Sequence, residues 1–485
     1  MASRHHISRS VKGLFLAVLL AAPRAEPSAA DDPAPKPQAL QGAIVVILDT
    51  VRADHLSPYG HGRNTSPGLR QLAERGVLFE QVVSYAPWTL PSVATILSGD
   101  RFSRGYDVEK GKLRRSIVED IQRAGYKTAA LTEGGFVSSH FAFDRGFDEF
   151  REEQGPVFLT EVSDSEASDE DAQQGGSGGV KRTFAQARRW LRAHADERFF
   201  LLIHSYEPHT PYQRFFFTRN IPRGNLNKVL DGQALKQIRS GEIEIRDKER
   251  RYASALYDGG LRVADYELAL LMILLDKLGL SDRTLIAVTS DHGEELGDRY
   301  PRHTGDHGHA LFDEQIMVPL VIADPTRRFE VSRVTSQVRT IDILPTVAEL
   351  LGASPASPIE GRSLLPLMRG EETGNRAAFG GITKLTPLRF FVRDGDYKYI
   401  ESSPRKGTPE LSPAPPQVQL YDLRSDPGER KNIVAEQPER ARAFHKQLSD
   451  YLGDSTSQNA PSIESETEQV DLEMRERLRS LGYID

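Results

Sequence analysis

Ala43-Ile-Val-Val-Ile-Leu-Asp49 and Thr284-Leu-Ile-Ala-Val-Thr-Ser290-Asp291-His292 decide the reading of this chain. Each is a run of apolar and β-branched residues that reads as a strand and ends on side chains able to ligate a metal. Similar runs at Lys127–Leu131, Phe199–His204 and Val318–Ala323 also predict strands. Between them, helical periodicity predicts helices at Pro67–Arg75, Arg115–Ala124 and Thr183–His194, and one long or broken helix at Glu249–Leu278. Strands separated by helices imply an α/β fold with a mostly parallel central sheet flanked by helices. In such sheets a site forms beyond the carboxyl ends of the strands. Asp49, the His204 to His209 segment and Asp291-His292 all fall there, although they are far apart in the chain.

A third stretch supplies a nucleophile. In Trp88-Thr-Leu-Pro-Ser-Val93, Thr89 stands two residues before Pro91, and a helix is expected to start at Pro91 or Ser92. Free amides at such a start favour an incoming anion. Isolated, Thr89 would read as a helix cap. Beside two carboxylates and an imidazole it reads as a hydroxyl to be activated by a metal. Asp49, Thr89, Asp291 and His292 are therefore the candidate metal ligands, and the expected cofactor is a divalent ion, Zn, Mn or Ca.

With 485 residues and 38% hydrophobic content the chain is long enough for a large core. Its 62 basic and 69 acidic residues give a net charge of -7, so no bulk attraction to nucleic acid is expected and an anionic substrate needs a local site. Arg4, Arg9 and Lys12 precede the apolar stretch from Leu14 to Ala22, and Ser28-Ala-Ala30 offers small residues for cleavage. That stretch is well short of the about 20 apolar residues that span a bilayer. Export to a periplasm or the medium is expected, with no transmembrane span in the mature protein. The chain has no Cys, hence no disulfide and no lipid-modified Cys.

The expected organisation is a signal peptide at 1–30, a Pro-rich spacer at 31–41, a catalytic domain at 42–370, a small C-terminal α+β subdomain at 371–453, and a linker with a terminal helix at 454–485. Within the catalytic domain, 152–180 is acidic and rich in Ser and Gly, and reads as a solvated loop. In the C-terminal part, Arg389–Arg393 and Tyr397–Glu401 read as strands, and a helix is expected around Pro438–Leu452. Oligomeric state leaves no legible mark.

Asp49-Thr-Val-Arg-Ala-Asp-His-Leu-Ser-Pro-Tyr-Gly60, the block Thr89 to Gly99, Ser290-Asp-His-Gly-Glu294 and Val318-Pro-Leu320 resemble, in this order, the sulfatase family of the alkaline phosphatase superfamily. The resemblance runs from about Gly42 to the C-terminus. It implies an alkaline phosphatase-like sheet, a metal-dependent ester hydrolase, and a small-molecule, glycan or lipid ester as substrate. It also implies roles for histidines. His204-Ser-Tyr-Glu-Pro-His209 resembles the segment with which family members touch substrate or bind a second metal, so His209 is expected to protonate a leaving group or ligate a second ion. In His303-Thr-Gly-Asp-His307-Gly-His309, the match to the family's His-Gly block selects His307 for the site, with His309 second. His209, His307 and His309 are thus the candidates for a second metal. His204 reads as a buried, hydrogen-bonded histidine, His303 as part of a mobile loop, and Glu294 as a support for the metal ligands.

The chain also departs from the pattern. Family sulfatases convert a Cys or Ser to formylglycine where this chain has Thr89. The motif's closing Arg is Val93, the second Asp after the first strand is Thr50, and the Lys and His that grip sulfate are replaced by Leu131-Thr-Glu-Gly-Gly-Phe136. Thr forms a phospho-enzyme without modification, so phosphate mono- or diesters are expected ahead of sulfate esters. The rival readings are a phosphoethanolamine-type transferase, whose relatives carry membrane helices, and a non-catalytic binder of anionic glycans, which would have lost its metal ligands.

Overall fold

The computed structural model describes residues 40–153, 179–326, 329, 331–381, 388–403 and 417–453. The expected signal peptide, nearly all of the expected spacer and acidic loop, and the expected linker and terminal helix lie outside the described residues.

The central sheet has eight strands in the order β10-β2-β9-β8-β1-β7-β5-β6. They are β1 (Gly42–Leu48), β2 (Val77–Val83), β5 (Lys127–Thr132), β6 (Glu149–Glu152), β7 (Phe199–Ser205), β8 (Thr284–Ser290), β9 (Met317–Ala323) and β10 (Arg333–Arg339). A two-residue pair, β3 (Tyr106–Asp107) and β4 (Lys112–Leu113), stands apart from it. All pairings in the large sheet are parallel except those of β9, which runs antiparallel to both β8 and β2. Because β9 reverses direction, the chain leaves β8 and enters β9 at the same edge, so the whole 291–316 segment stays at the carboxyl ends of β1, β7 and β8.

The strand assignment follows from burial. All seven residues of β1, of β7 and of β8 are buried, as expected for parallel strands covered on both faces. Burying a Val, Ile or Leu contributes roughly 1.5–3 kcal/mol, more than the ~1 kcal/mol net of one ladder hydrogen bond. Side-chain burial therefore fixes where the strands lie. On one face Val45, Ile47, Phe200 and Leu202 pack with the helix Thr89–Ser98. On the other, Ile44, Val46, Leu201 and Ile203 pack with the 31-residue helix Asp247–Lys277 and the helix Gly179–Ala193. The long helix is unbroken.

Sequence reading misses β2, β6 and β10. In β2 Glu80 and Gln81 interrupt the apolar run, and β6 and β10 carry half-exposed polar residues, so none shows the buried pattern.

A second sheet is antiparallel, in the order β11-β12-β13-β14, with β11 (Ala378–Gly381), β12 (Leu388–Asp394), β13 (Tyr397–Ser403) and β14 (Val418–Asp422). The helix Pro438–Leu452 packs on it through Ala441, Phe444 and Leu448. This unit braces the large sheet. The Gly381 amide donates to the Tyr85 carbonyl at 2.8 Å, and a Cβ on Gly380 would meet that oxygen at 2.0 Å, so only glycine admits the contact. Arg389 donates to the His309 carbonyl at 3.1 Å. Lys398, without exposed surface, pairs with Asp313 at 2.5 Å and with buried Glu429 at 2.7 Å.

Removing one partner of such a buried pair leaves charge uncompensated, at about 3–5 kcal/mol. Lys398→Ala is expected to lower unfolding free energy by about 3 kcal/mol, measured by denaturant titration. A change below about 1 kcal/mol would show that the brace is energetically idle.

Candidate active site

Two adjacent strand ends deliver the carboxylates. β1 and β8 pair with Leu48 opposite Ser290, so the next residues, Asp49 and Asp291, emerge level with one another. Thr50 then turns the chain with φ 60°, a left-handed conformation that costs a β-branched residue on the order of 1–3 kcal/mol. The turn directs the Thr50 amide to the Asp291 carboxylate. The Tyr257 hydroxyl holds the turn, donating to the Thr50 carbonyl at 2.7 Å and accepting from the Arg52 amide at 2.9 Å. Where the family pattern has a second carboxylate, this chain thus presents a backbone donor.

Thr89 opens its helix as the first helical residue, with Trp88 at the cap position. The helix therefore starts two or three residues before the expected Pro91 or Ser92. Thr89 does not cap it. Its hydroxyl donates to Asp49 Oδ2 at 3.2 Å and lies 3.3 Å from His292 Nε2. All ten residues of the helix are buried. The Ser84 hydroxyl lies within hydrogen-bond reach of both the Asp291 and the Ala86 carbonyls and has one proton for the two, and Ser92 donates to the Ala86 carbonyl at 2.7 Å.

The imidazoles are oriented by what their Nδ1 atoms touch. His292 Nδ1 lies 2.9 Å from the Gly293 carbonyl and His209 Nδ1 lies 2.8 Å from the Thr210 carbonyl. A carbonyl only accepts, so each Nδ1 carries a proton, and in the neutral ring Nε2 presents a lone pair. His307 Nδ1 lies 3.2 Å from Glu294 Oε1, and Tyr212 donates to Glu294 Oε2 at 2.8 Å. Glu294 supports His307 in this way. The rings of His292 and His307 are 4.4 Å apart, and those of His307 and His209 are 5.0 Å apart.

Among the described residues, three groups bring ligating atoms within 4.8 Å of one another: Asp49–Asp291–His292, His303–Asp306–His309 and His55–His61–Asp258. The first matches the expected ligands. His309, expected beside His209 and His307, is grouped instead with His303 and Asp306, and its Nε2 accepts from Gln315 at 2.9 Å. His303 sits in a short 3₁₀ turn, half-buried beside Asp306. In the third group Arg63 already supplies a cation to Asp258 at 2.6 Å. His204 is buried, but both its ring nitrogens lack hydrogen-bond partners, unlike the expected bonded histidine. Arg104, half-exposed, pairs with Asp100 at 3.3 Å. Sequence reading also misses Tyr257 and Tyr212, since a contact between residues 207 or 82 positions apart leaves no local pattern.

The donor set fits a divalent cation. Asp49, Asp291 and His292 have no exposed surface, and Asp291 Oδ2 accepts no hydrogen bond. Two like charges about 5 Å apart repel by roughly 3–4 kcal/mol at an effective dielectric of ~20. Burial pushes the Asp291 carboxyl up to about 7, against bonds from the His292 and Thr50 amides that favour its ionised form. Two carboxylate oxygens, an imidazole nitrogen and a hydroxyl form a ligand set suited to zinc or manganese.

The sulfatase family model matches residues 41–353, and a model of the N-sulphoglucosamine sulphohydrolase C-terminal region matches residues 305–458. The chain belongs to the sulfatase family. Membership carries the reaction class, ester hydrolysis. A similar protein is the multifunctional alkaline phosphatase superfamily protein PehA of Trinickia caryophylli, 24% identical over 82% of this chain and 91% of that one. Arylsulfatase K of Bos taurus is 27% identical, over 47% of this chain and 40% of that protein. The phosphonate monoester hydrolase of Agrobacterium radiobacter has the same fold, with a TM-score of 0.64 at 21% identity over 84% of this chain and 95% of that one. So does a protein solved with its substrate D-glucosamine-2-N,6-O-disulfate, at TM-score 0.64 and 18% identity over 84% and 97%.

Because the folded-state value for Asp291 lies above its ordinary 3.8, the metal-free protein loses stability as pH rises from about 4 through 7. A cation that binds the ionised form reverses the loss. Manganese or zinc is expected to raise Tm more at about pH 8 than at about pH 5.5, read by calorimetry; an equal or smaller shift at the higher pH would count against this site.

Proposed function

We propose that the chain is an exported, metal-dependent hydrolase of phosphate mono- or diesters, with sulfate esters as the second substrate class, and that Thr89 is its nucleophile. The observation that carries the reading is the Thr89 hydroxyl, released from capping and held 3.2 Å from Asp49 and 3.3 Å from His292 Nε2. Asp49, Asp291, His292 and the Thr89 oxygen would hold one divalent ion. When bound, that ion supplies Lewis acidity, stabilising the deprotonated hydroxyl and polarising the ester oxygens.

The rest falls to the chain's own groups. Thr89 attacks phosphorus, its oxygen–phosphorus bond forming as the bond to the leaving oxygen breaks. His209 and His307 each have Nδ1 committed, so Nε2 is the atom left for proton transfer. The Thr89 proton passes to Asp49, its acceptor at 3.2 Å, while one of the two histidines, already holding a second proton, gives its Nε2 proton to the leaving oxygen. Water then attacks phosphorus, its proton recharges that histidine, and Thr89 leaves as the hydroxyl by recovering its proton from Asp49. The Glu294 carboxylate balances the charge that His307 acquires when it holds a second proton. A Thr hydroxyl can be phosphorylated directly, which supports phosphate esters; no formylglycine can form at Thr89.

Among the described residues no helix is long and apolar enough to cross a membrane. The intact ligand set disfavours a non-catalytic binder.

Thr89→Ala is expected to lower kcat by about 10³-fold or more while the fold persists. The assay sets metal-loaded protein against matched aryl sulfate, phosphate monoester, phosphate diester and phosphonate ester. A near-wild-type rate in the variant would end the nucleophile assignment. An aryl sulfate preference would reverse the substrate order.

Second, Glu294→Gln is expected to leave metal content unchanged and lower kcat by about 10-fold or more, with the loss largest for poor leaving groups. Loss of metal instead would assign Glu294 to the ion and not to His307.

A further inference from the structure

Both ring nitrogens of His204 are buried without a hydrogen-bond partner. Buried polar atoms are nearly always satisfied, so this imidazole calls for a partner that the protein itself does not supply. Its position indicates which. Along β7, Phe200, Leu202 and Tyr206 belong to the core that holds Trp88, Leu90 and Phe136, and Phe199, Leu201 and Ile203 belong to the opposite core. By alternation His204 faces the side of the sheet that carries the Thr89 helix. In register it stands beside Ile47, two residues before Asp49.

On its other flank β5 pairs Leu131 with Ile203, which brings Thr132 level with His204. The next residues, Glu133 to Phe136, form the segment where the family pattern has its sulfate-gripping Lys and His and this chain has Gly134, Gly135 and Phe136. Phe136 donates its amide to the Tyr206 hydroxyl at 3.1 Å. A row of rings then leads into the site: His204 to Tyr206 at 5.0 Å, Tyr206 to His209 at 5.9 Å, His209 to His307 at 5.0 Å and His307 to His292 at 4.4 Å.

We infer that His204 donates a hydrogen bond to a non-bridging oxygen of the bound ester, taking over the grip that the Gly134-Gly135-Phe136 segment no longer provides. The inference rests on the anionic-ester reading above. Burial, with the neighbouring His209, pushes the His204 imidazole down to about 3, so it meets the anion as a neutral donor. Such a group orients a phosphate beside a cation without competing with that cation for it. His204 and Asp49 both have no exposed surface, and the β1–β7 register sets His204 two residues below Asp49 on the neighbouring strand.

Inorganic phosphate is the probe. It is titrated calorimetrically into the manganese-loaded full chain, as wild type, His204→Phe, His204→Leu and His204→Gln, with kcat and KM for the best aryl ester measured in parallel. Removing the donor is expected to weaken phosphate binding about 10- to 100-fold and to raise KM more than it lowers kcat, with Tm unchanged or higher. Gln, which keeps an N–H, is expected to recover part of the affinity. Should Phe not fold, Leu carries the same test. Wild-type phosphate affinity in Phe or Leu, with a raised Tm, would make His204 a core residue and overturn the inference alone. If the wild type neither binds phosphate nor turns over any ester, the hydrolase reading fails and this inference with it.

Discussion

Two carboxylates without exposed surface, set side by side on neighbouring strands, are the constraint on which the rest of the molecule depends. Asp49 and Asp291 are level because β1 and β8 are in register, and the buried helix that begins at Thr89 packs against Asp49. Neither fact can be relaxed without moving a strand of seven buried residues. The surroundings read as answers to that repulsion. Thr50 accepts a strained backbone to aim an amide at Asp291, and Tyr257 locks the strained turn in place. His292 Nε2 lies 3.3 Å from Asp49 and 3.5 Å from Asp291, which makes three acceptors whose mutual repulsion a shared cation would relieve.

The second answer is mechanical. A site built on the 291–316 segment is only as rigid as that segment, and its backbone is gripped from outside by the antiparallel sheet. Arg389 holds the His309 carbonyl, Lys398 holds Asp313, and Arg299 reaches the Glu429 carbonyl at 2.8 Å. The smaller sheet thus contributes to chemistry without placing a side chain among the candidate ligands Asp49, Asp291 and His292.

How much of this is legible in sequence depends on how local its cause is. β1, β7 and β8 are readable because burial on both faces leaves an unbroken apolar run, whereas β2 conceals itself behind Glu80 and Gln81. Asp49, Asp291 and His292 stand at the ends of such readable runs, and their convergence follows from strand direction; Thr89 reaches them from the first turn of a buried helix. The partner of Glu294 does not follow: its bonds to Tyr212 and His307 depend on how two loops pack. The surroundings of His309 are hidden for the same reason, since its place is set by Gln315, His303 and Tyr300. Burial of His204 is readable from its strand, but its lack of partners is visible only once the neighbouring strands are in place.

The reversed strand β9 has an evolutionary corollary. Since the 291–316 segment begins and ends on adjacent strands, which run about 4.8 Å apart in any β-sheet, its two anchor points are fixed by the sheet and not by the segment's length or contents. It is a cassette. Exchanges between Glu295 and Asp306, which already meet as an isolated β-bridge, keep the anchoring strands β8 and β9 paired while giving up the hold of Arg299 on the Glu429 carbonyl. Lineages with this topology can therefore change the rim of the pocket by recombining one contiguous stretch of gene, whereas a parallel crossover would oblige them to rebuild a helix as well.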